Sequence, residues 1–128
     1  MKQTVVPNRN MVMISVAASL AIKNKLDYLW YAAHSGDHEI YPDCRPEFIA
    51  KMAEVLSICD YHKINFEAPF QDLSKAEIIK VGLDMNLDYS KAWTCYEGKE
   101  KPCGKCSACL ERAASFQANQ VKDPLDEL

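Results

Sequence analysis

The sequence predicts an α/β fold built on parallel strands joined by helical crossovers. Three observations carry that expectation. The elements read α-β-α-β-α from Asn10 onward. The run Leu26 to Ala33 is almost wholly apolar, as in strands covered on both faces of a parallel sheet. Stretches of helical periodicity flank it on both sides.

Asn10 to Lys25 reads as a helix with Met11, Ile14, Ala18, Ala21 and Ile22 on one face, and its small residues suit close packing against a sheet. Leu26 to Ala33, with Tyr28, Trp30 and Tyr31, is the first strand. His34 to Arg45 is a polar loop leaving that strand's C-terminal end, where open α/β sheets bind ligands. Pro46 suits a first helical position, and Phe48, Ile49, Met52, Val55, Leu56 and Cys59 mark a buried stripe behind it. Ile64 to Phe66 is a second, shorter strand. Ser74 with Glu77 forms a capping box, which starts a helix at Lys75 that buries Ile78, Ile79 and Leu83. A last helix runs from about Ser107 to Asn119 with Leu110, Ala113 and Phe116 inward. The tail beyond Val121 is polar, carries Pro124 and is expected to fray. Two parallel strands make a marginal sheet, so Leu26 to Ala33 requires strand neighbours from another chain or from a longer protein.

The chain has 128 residues, 48% hydrophobic and 26% charged, the profile of one globular domain or part of one. A formal charge of −3 gives no general attraction to nucleic acid or acidic membrane. The run from Met11 to Ile22 is broken by Ser15 and Ser19 and ends at Lys23, short of the roughly 18 residues a membrane helix needs. Met1-Lys2-Gln3-Thr4 opens no apolar signal segment, so a reducing, cytoplasmic setting is expected. Cys44 reads as a packing residue and Cys59 as a small core residue.

Cys95, Cys103, Cys106 and Cys109 form a C-x7-C-x2-C-x2-C run in a polar, Gly-punctuated stretch. Tetrahedral zinc takes four thiolates at about 2.3 Å, and the Cys103-Gly104-Lys105-Cys106 turn presents two of them to one ion. Disulfides would need an oxidising compartment. An iron–sulfur cluster is the other reading, but the bacterial ferredoxin run has a different last step followed by Pro, and Leu110 follows Cys109 here. Zinc is the preferred reading. Four thiolates leave it no open position, so its role is to staple the loop.

The loop His34 to Arg45 gathers titratable groups at the ligand end of the sheet, although solvent exposure alone also selects such a composition. Asp43 would equally suit the positive end of the helix starting at Pro46. His34, Asp37 and His38 offer a second metal site without a fixed geometry. Val6-Pro7-Asn8-Arg9-Asn10 offers amides and a guanidinium to phosphate at a helix start.

Four blocks together resemble the C-terminal part of the 7-cyano-7-deazaguanine synthase family, the QueC enzymes of queuosine biosynthesis. They are Val6 to Asn10, Tyr41-Pro42-Asp43-Cys44-Arg45-Pro46-Glu47-Phe48, Thr94-Cys95-Tyr96-Glu97-Gly98, and Cys103 to Arg112. The resemblance implies the C-terminal part of an adenine nucleotide α-hydrolase-like (PP-loop, Rossmann-like) parallel-sheet fold over residues 1–90. A helical zinc-binding segment follows over 91–128. It implies a ligase that adenylates 7-carboxy-7-deazaguanine with ATP and Mg2+, lets ammonia displace AMP, then activates the amide again and eliminates to the nitrile, preQ0. Arg9 and Asn10 are then nucleotide contacts. Asp37, Tyr41, Asp43 and Arg45, with Phe48 as a packing wall, hold the substrate, and the four cysteines bind zinc. A homodimer is also implied.

One part of the family pattern has no counterpart. The Ser-Gly-Gly-x-Asp-Ser loop that grips pyrophosphate is absent from these 128 residues, whose four glycines are never adjacent. The expectation is therefore half an enzyme, active with a PP-loop half supplied in trans or by an intact protomer. A zinc-stapled, non-catalytic protein-binding module is the alternative. A zinc-ribbon nucleic-acid binder using Lys99, Lys101, Lys105 and Arg112 ranks last, because Glu97, Glu100 and Glu111 interleave with them.

Overall fold

The computed structural model describes residues 5–127 and is α/β. The chain forms two compact units, Met1–Asp72 and Leu73–Leu128. In the first, helix α1 (Arg9–Lys23) follows a tight turn in which Arg9 N–H donates to Val6 O at 3.3 Å. Asn8 closes that turn at φ 60°, a left-handed conformation that asparagine tolerates better than most residues. Ile14, Ala18 and Ala21 are buried as expected. Met11, expected inward, is exposed, and Val12, Val16 and Leu20 form a second apolar stripe on the outer side of the helix.

Strand β1 (Tyr28–Trp30) pairs in parallel with β2 (Asn65–Glu67) in the register Tyr28↔Asn65, Leu29↔Phe66, Trp30↔Glu67. This is the parallel sheet that the alternating element order requires. Leu29, Phe66 and Tyr31 belong to the core, with Tyr31 stacked on Phe66 at 6.0 Å between ring centroids. Tyr28 and Trp30 are 56% and 67% exposed, so the expectation of a strand covered on both faces holds for one face only. Between the strands runs α2 (Pro46–Leu56), which buries Ile49, Met52 and Leu56. Its stripe is shorter than the sequence suggests. Val55 is exposed, and Cys59, expected in the core, lies exposed beyond the helix end with its Sγ on Leu56 O at 3.3 Å. Helical periodicity no longer assigns faces once the chain has turned toward β2.

In the second unit, α3 (Lys75–Asp84) begins at the expected capping box. Ser74 N–H donates to Glu77 Oε2 at 2.7 Å, and Glu77 N–H donates to Ser74 Oγ at 3.3 Å. Ile79 and Gly82 are buried, with Ile78 and Leu83 half-buried. Helix α4 (Ser107–Ala118) turns Cys109, Arg112, Ser115 and Phe116 inward, whereas Leu110 and Ala113, expected inward, are exposed. Phe116 is buried as expected, and a cysteine and a paired arginine rather than Leu110 and Ala113 complete that face. The tail is corrected too. Asp123 and Leu125 are buried, and a single 3-10 turn spans Pro124–Glu127.

Gly82 makes room for Tyr89. A Cβ there would lie 2.8 Å from Tyr89 Cζ and overlap its hydroxyl, which donates to Ile79 O at 3.1 Å. The same ring packs edge-on against Phe116 at 5.4 Å. Helix propensity favours alanine by about 1 kcal/mol, but overpacking costs about 1–3 kcal/mol and the displaced hydrogen bond about 1 kcal/mol more. Gly82→Ala is therefore expected to destabilise the second unit by about 1–3 kcal/mol in a denaturant melt. A midpoint at or above that of the parent chain would contradict the packing. Among the described residues no helix is long and apolar enough to cross a membrane.

Candidate metal centre and substrate loop

The sequence between Cys95 and α4 has little to bury except its own cysteines, and its backbone is organised around their sulfurs. Cys95 Sγ accepts from the N–H groups of Glu97 at 3.4 Å and Cys103 at 3.3 Å, and Cys103 Sγ accepts from Cys106 N–H at 3.3 Å. Gly104, at φ +67°, supplies the left-handed residue that the tight turn from Cys103 to Cys106 needs. Cys109 enters from the first turn of α4. The four Sγ atoms all lie within 4.8 Å of one another, with Cys103 and Cys109 at 3.9 Å. Tetrahedral zinc with bonds of about 2.3 Å has sulfur–sulfur edges of about 3.8 Å, whereas a disulfide needs about 2.05 Å. The donor set and its spacing fit a four-coordinate ion. Backbone amides hold Cys95 and Cys106 below the usual thiol range, Cys106 to about 6, while burial pushes Cys109 up. A divalent cation would stabilise all four as thiolates.

Arg112, which follows the last cysteine by one helical turn, is 7% exposed. Its Nε and an Nη donate to Asp123 at 2.5 and 2.7 Å, a bidentate pair, and its other donors reach the carbonyls of Ala92 and Tyr89. The guanidinium also stands over Phe116 at 5.2 Å. This takes Arg112 away from any role in phosphate contact and makes it the hub of the second unit. The sequence signal for it was missed because its partner Asp123 lies in a tail that reads as solvent-exposed.

In the first unit the expected substrate and nucleotide residues are brought to the C-terminal end of β1. The loop folds into two 3-10 turns, Ser35–Asp37 and Pro42–Cys44. His34 is buried. Its Nδ1 accepts from Gly36 N–H at 3.1 Å, which leaves the proton on Nε2, 3.4 Å from Asp37 Oδ2. This capping arrangement employs the His34 and Asp37 groups proposed for a second metal, and the cysteines are the one metal-competent cluster among the described residues. Tyr41 N–H donates to Asp37 O at 2.8 Å, and Arg45 Nε donates to His38 O at 2.8 Å, so the loop is tied back on itself. Asp37, Tyr41, Asp43, Arg45 and Phe48 are all half-buried.

Two side chains join this loop to α1 and β1. Tyr31 OH lies 3.2 Å from Cys44 Sγ and 3.3 Å from Asp43 O, and Asn10 Nδ2 approaches the same sulfur at 3.9 Å. Burial raises the pKa of both Cys44 and Tyr31. Cys44 is therefore a neutral thiol that packs and hydrogen-bonds, as its place in the sequence suggests. Arg9 is exposed at the start of α1, one residue before Asn10. Tyr31 was not singled out from sequence as a loop anchor; the available signal was a tyrosine at the strand's C-terminal end, immediately before the loop.

The chain's sequence matches the family model for the queuosine biosynthesis protein QueC over residues 1–120. It is 53% identical over 125 residues to a 7-cyano-7-deazaguanine synthase from Psychromonas ingrahamii, covering 98% of this chain and 57% of that protein. The protein of the same name from Caldicellulosiruptor saccharolyticus is 53% identical over 126 residues (98% of this chain and 56% of its own length), and that from Methanoregula boonei 51% identical (98% and 58%). The chain thus spans a little over half the length of the curated relatives it matches. With the Tyr-Pro-Asp-Cys-Arg loop at the sheet's ligand end and four clustered cysteines on a parallel α/β frame, the chain belongs to the QueC family.

Proposed function

We propose that this chain supplies the substrate loop and a zinc-stapled segment of an enzyme that converts 7-carboxy-7-deazaguanine and ammonia to 7-cyano-7-deazaguanine, using ATP. The observation that carries this is the name shared by relatives at about half identity over nearly the whole chain. The half-buried loop at the end of β1 supports it. Pyrophosphate binding requires the part of the relatives' length that this chain does not match, since no two glycines adjoin in these 128 residues.

A carboxylate is a poor electrophile, so the reaction needs a leaving group on oxygen. Attack of the carboxylate on the α-phosphorus of Mg2+-bound ATP expels pyrophosphate and gives an acyl adenylate. Ammonia adds, a proton leaves, and AMP departs to give the amide. A second adenylation, on the amide oxygen, expels pyrophosphate and one N–H proton to give an imidoyl adenylate; loss of AMP and the second N–H proton then gives the nitrile. Arg45, fixed through its Nε to His38 O, points its guanidinium at the carboxylate or its phosphoryl ester. Asp43 accepts from the N–H groups of the base, while Asp37 and Tyr41 shape the loop around it and Phe48 packs against its plane. Arg9 and Asn10 lie on the nucleotide side. Cys95, Cys103, Cys106 and Cys109 would hold zinc, which would supply structural cross-linking, since four thiolates leave no open coordination position. The setting proposed is the cytoplasm, and the assembly a homodimer.

The residue roles are tested in a protein that joins this chain to the unmatched part of the Psychromonas ingrahamii relative. Arg45→Ala should raise KM for 7-carboxy-7-deazaguanine by roughly tenfold or more and leave KM for ATP within about twofold. Equal losses for both substrates would remove Arg45 from the carboxylate.

A further inference from the structure

Tyr31 stands where the sheet hands over to the substrate loop. Its N–H donates to Glu67 O at 2.8 Å, which extends the parallel ladder by one residue, and its ring stacks on the buried Phe66 at 6.0 Å between centroids. The side chain is thus a post fixed in the core of the first unit, with its hydroxyl at the tip. That hydroxyl lies 3.3 Å from Asp43 O and 3.2 Å from Cys44 Sγ, and the sulfur in turn lies 3.9 Å from Asn10 Nδ2. Counting protons gives the chain a direction. Tyr31 has one hydroxyl proton for two acceptors, and the carbonyl is the stronger of them, because a thiol sulfur accepts weakly. Tyr31 O–H therefore donates to Asp43 O, Cys44 S–H to the Tyr31 oxygen, and Asn10 Nδ2–H to the Cys44 sulfur. Burial keeps the phenol and the thiol protonated, as this chain of donors requires. Cys44 N–H donates to Tyr41 O at 3.0 Å and Arg45 N–H to Pro42 O at 3.3 Å, so the segment from Tyr41 to Arg45 moves as one turn and a shift of Asp43 carries Arg45 with it.

We propose that Tyr31 is a positioning residue for the substrate loop and the nucleotide contact together: its hydroxyl, through Asp43 O and the Cys44 thiol, sets Arg45 and Asn10 in register from one point on the sheet. Adenylation needs such a register. The attacking carboxylate oxygen and the α-phosphorus must meet in line, and a misplacement of about 1 Å costs about a hundredfold in rate. Tyr31 itself acts only through Asp43, Cys44 and Asn10. Its part in the reaction rests on the functional reading above; the anchor itself rests on the hydrogen bonds.

Tyr31→Phe removes one oxygen and keeps the ring on Phe66, so it tests the hydroxyl alone. In the zinc-loaded 128-residue chain, with no substrate present, alkylation of Cys44 by iodoacetamide is followed by peptide mass spectrometry. Tyr31→Phe should speed it by roughly tenfold or more, because the thiol loses a partner and the loop opens more often. The joined protein described above is then taken through a single turnover, in which the amplitude counts working sites and the rate reports alignment. Tyr31→Phe and Cys44→Ala should each slow that rate by roughly tenfold or more while the steady-state KM for ATP stays within about twofold, and the double variant should be no slower than the worse single one. A smaller amplitude at an unchanged rate would make Tyr31 a merely structural residue and overturn the proposal. Unchanged alkylation of Cys44, or losses that simply add in the double variant, would overturn it too. A joined parent that forms no nitrile sinks the functional reading and the positioning role with it, while the alkylation still decides the anchor.

Discussion

Cys103→Ser should cost the chain its metal and loosen the whole second unit. The parent is expected to hold one zinc per chain, and the variant, with three thiolates, to lose it to a mild chelator. Structural zinc in small sites contributes much of the folding free energy, so the melting temperature should fall by roughly 10 °C or more. The damage should localise. Cys103 Sγ also accepts the N–H of Cys106, so the turn and the start of α4 should lose protection while β1, β2 and α2 keep theirs. Full metal content with an unaltered melt would remove Cys103 from the ligand set. Cys59→Ser, at an exposed position outside the cluster, should change neither reading.

Arg112→Ala should be the most damaging substitution outside the cysteines. It strands the buried carboxylate of Asp123 and two carbonyls, and breaking a buried pair from one side costs about 3–5 kcal/mol. The pH dependence tests the assignment separately. Burial raises the pKa of Asp123, but the Arg112 hydrogen bonds and the Leu125 amide together outweigh it and hold the group below its ordinary 3.8. A depressed folded pKa means stability that is present above the unfolded value and lost as pH falls through the folded one. The parent should weaken as pH drops below about 4. In the Arg112→Ala protein burial is opposed only by the Leu125 amide, so the depression of Asp123 is reduced and the loss of stability on acidification through the same range should be shallower than in the parent. Asp123→Asn should remove the Asp123 contribution to both trends. Parallel pH profiles for parent and Arg112→Ala would contradict the pairing.

What the sequence conveyed well was local. The spacing of Cys95, Cys103, Cys106 and Cys109 carries its geometry with it, because a Cys-x-x-Cys turn and one helical turn are short-range constraints. The Ser74–Glu77 capping box is equally self-contained, and its hydrogen bonds are those expected. Burial that depends on distant partners was harder to read. Leu110 and Ala113 look like the inner face of α4 until Arg112 is paired with Asp123, eleven residues on, and the helix rotates to bury that pair. The apolar run around Tyr28 and Trp30 reads as a strand covered on both faces, whereas the described residues provide one strand partner and one covered face. The loop stands out in the sequence by its motif, whereas its wiring through Tyr31, Cys44 and Asn10 is tertiary and has no sequence period.

The most direct test of the account is product formation. The 128-residue chain, and the same chain joined to the unmatched part of the Psychromonas ingrahamii relative, would each be incubated with zinc, 7-carboxy-7-deazaguanine, ATP, Mg2+ and ammonia, with the nitrile sought by mass spectrometry. The account predicts nitrile from the joined protein and none from the shorter chain. A properly folded, zinc-loaded joined protein that hydrolyses ATP yet forms neither amide nor nitrile would contradict the assignment of the substrate loop and favour a non-catalytic binding module.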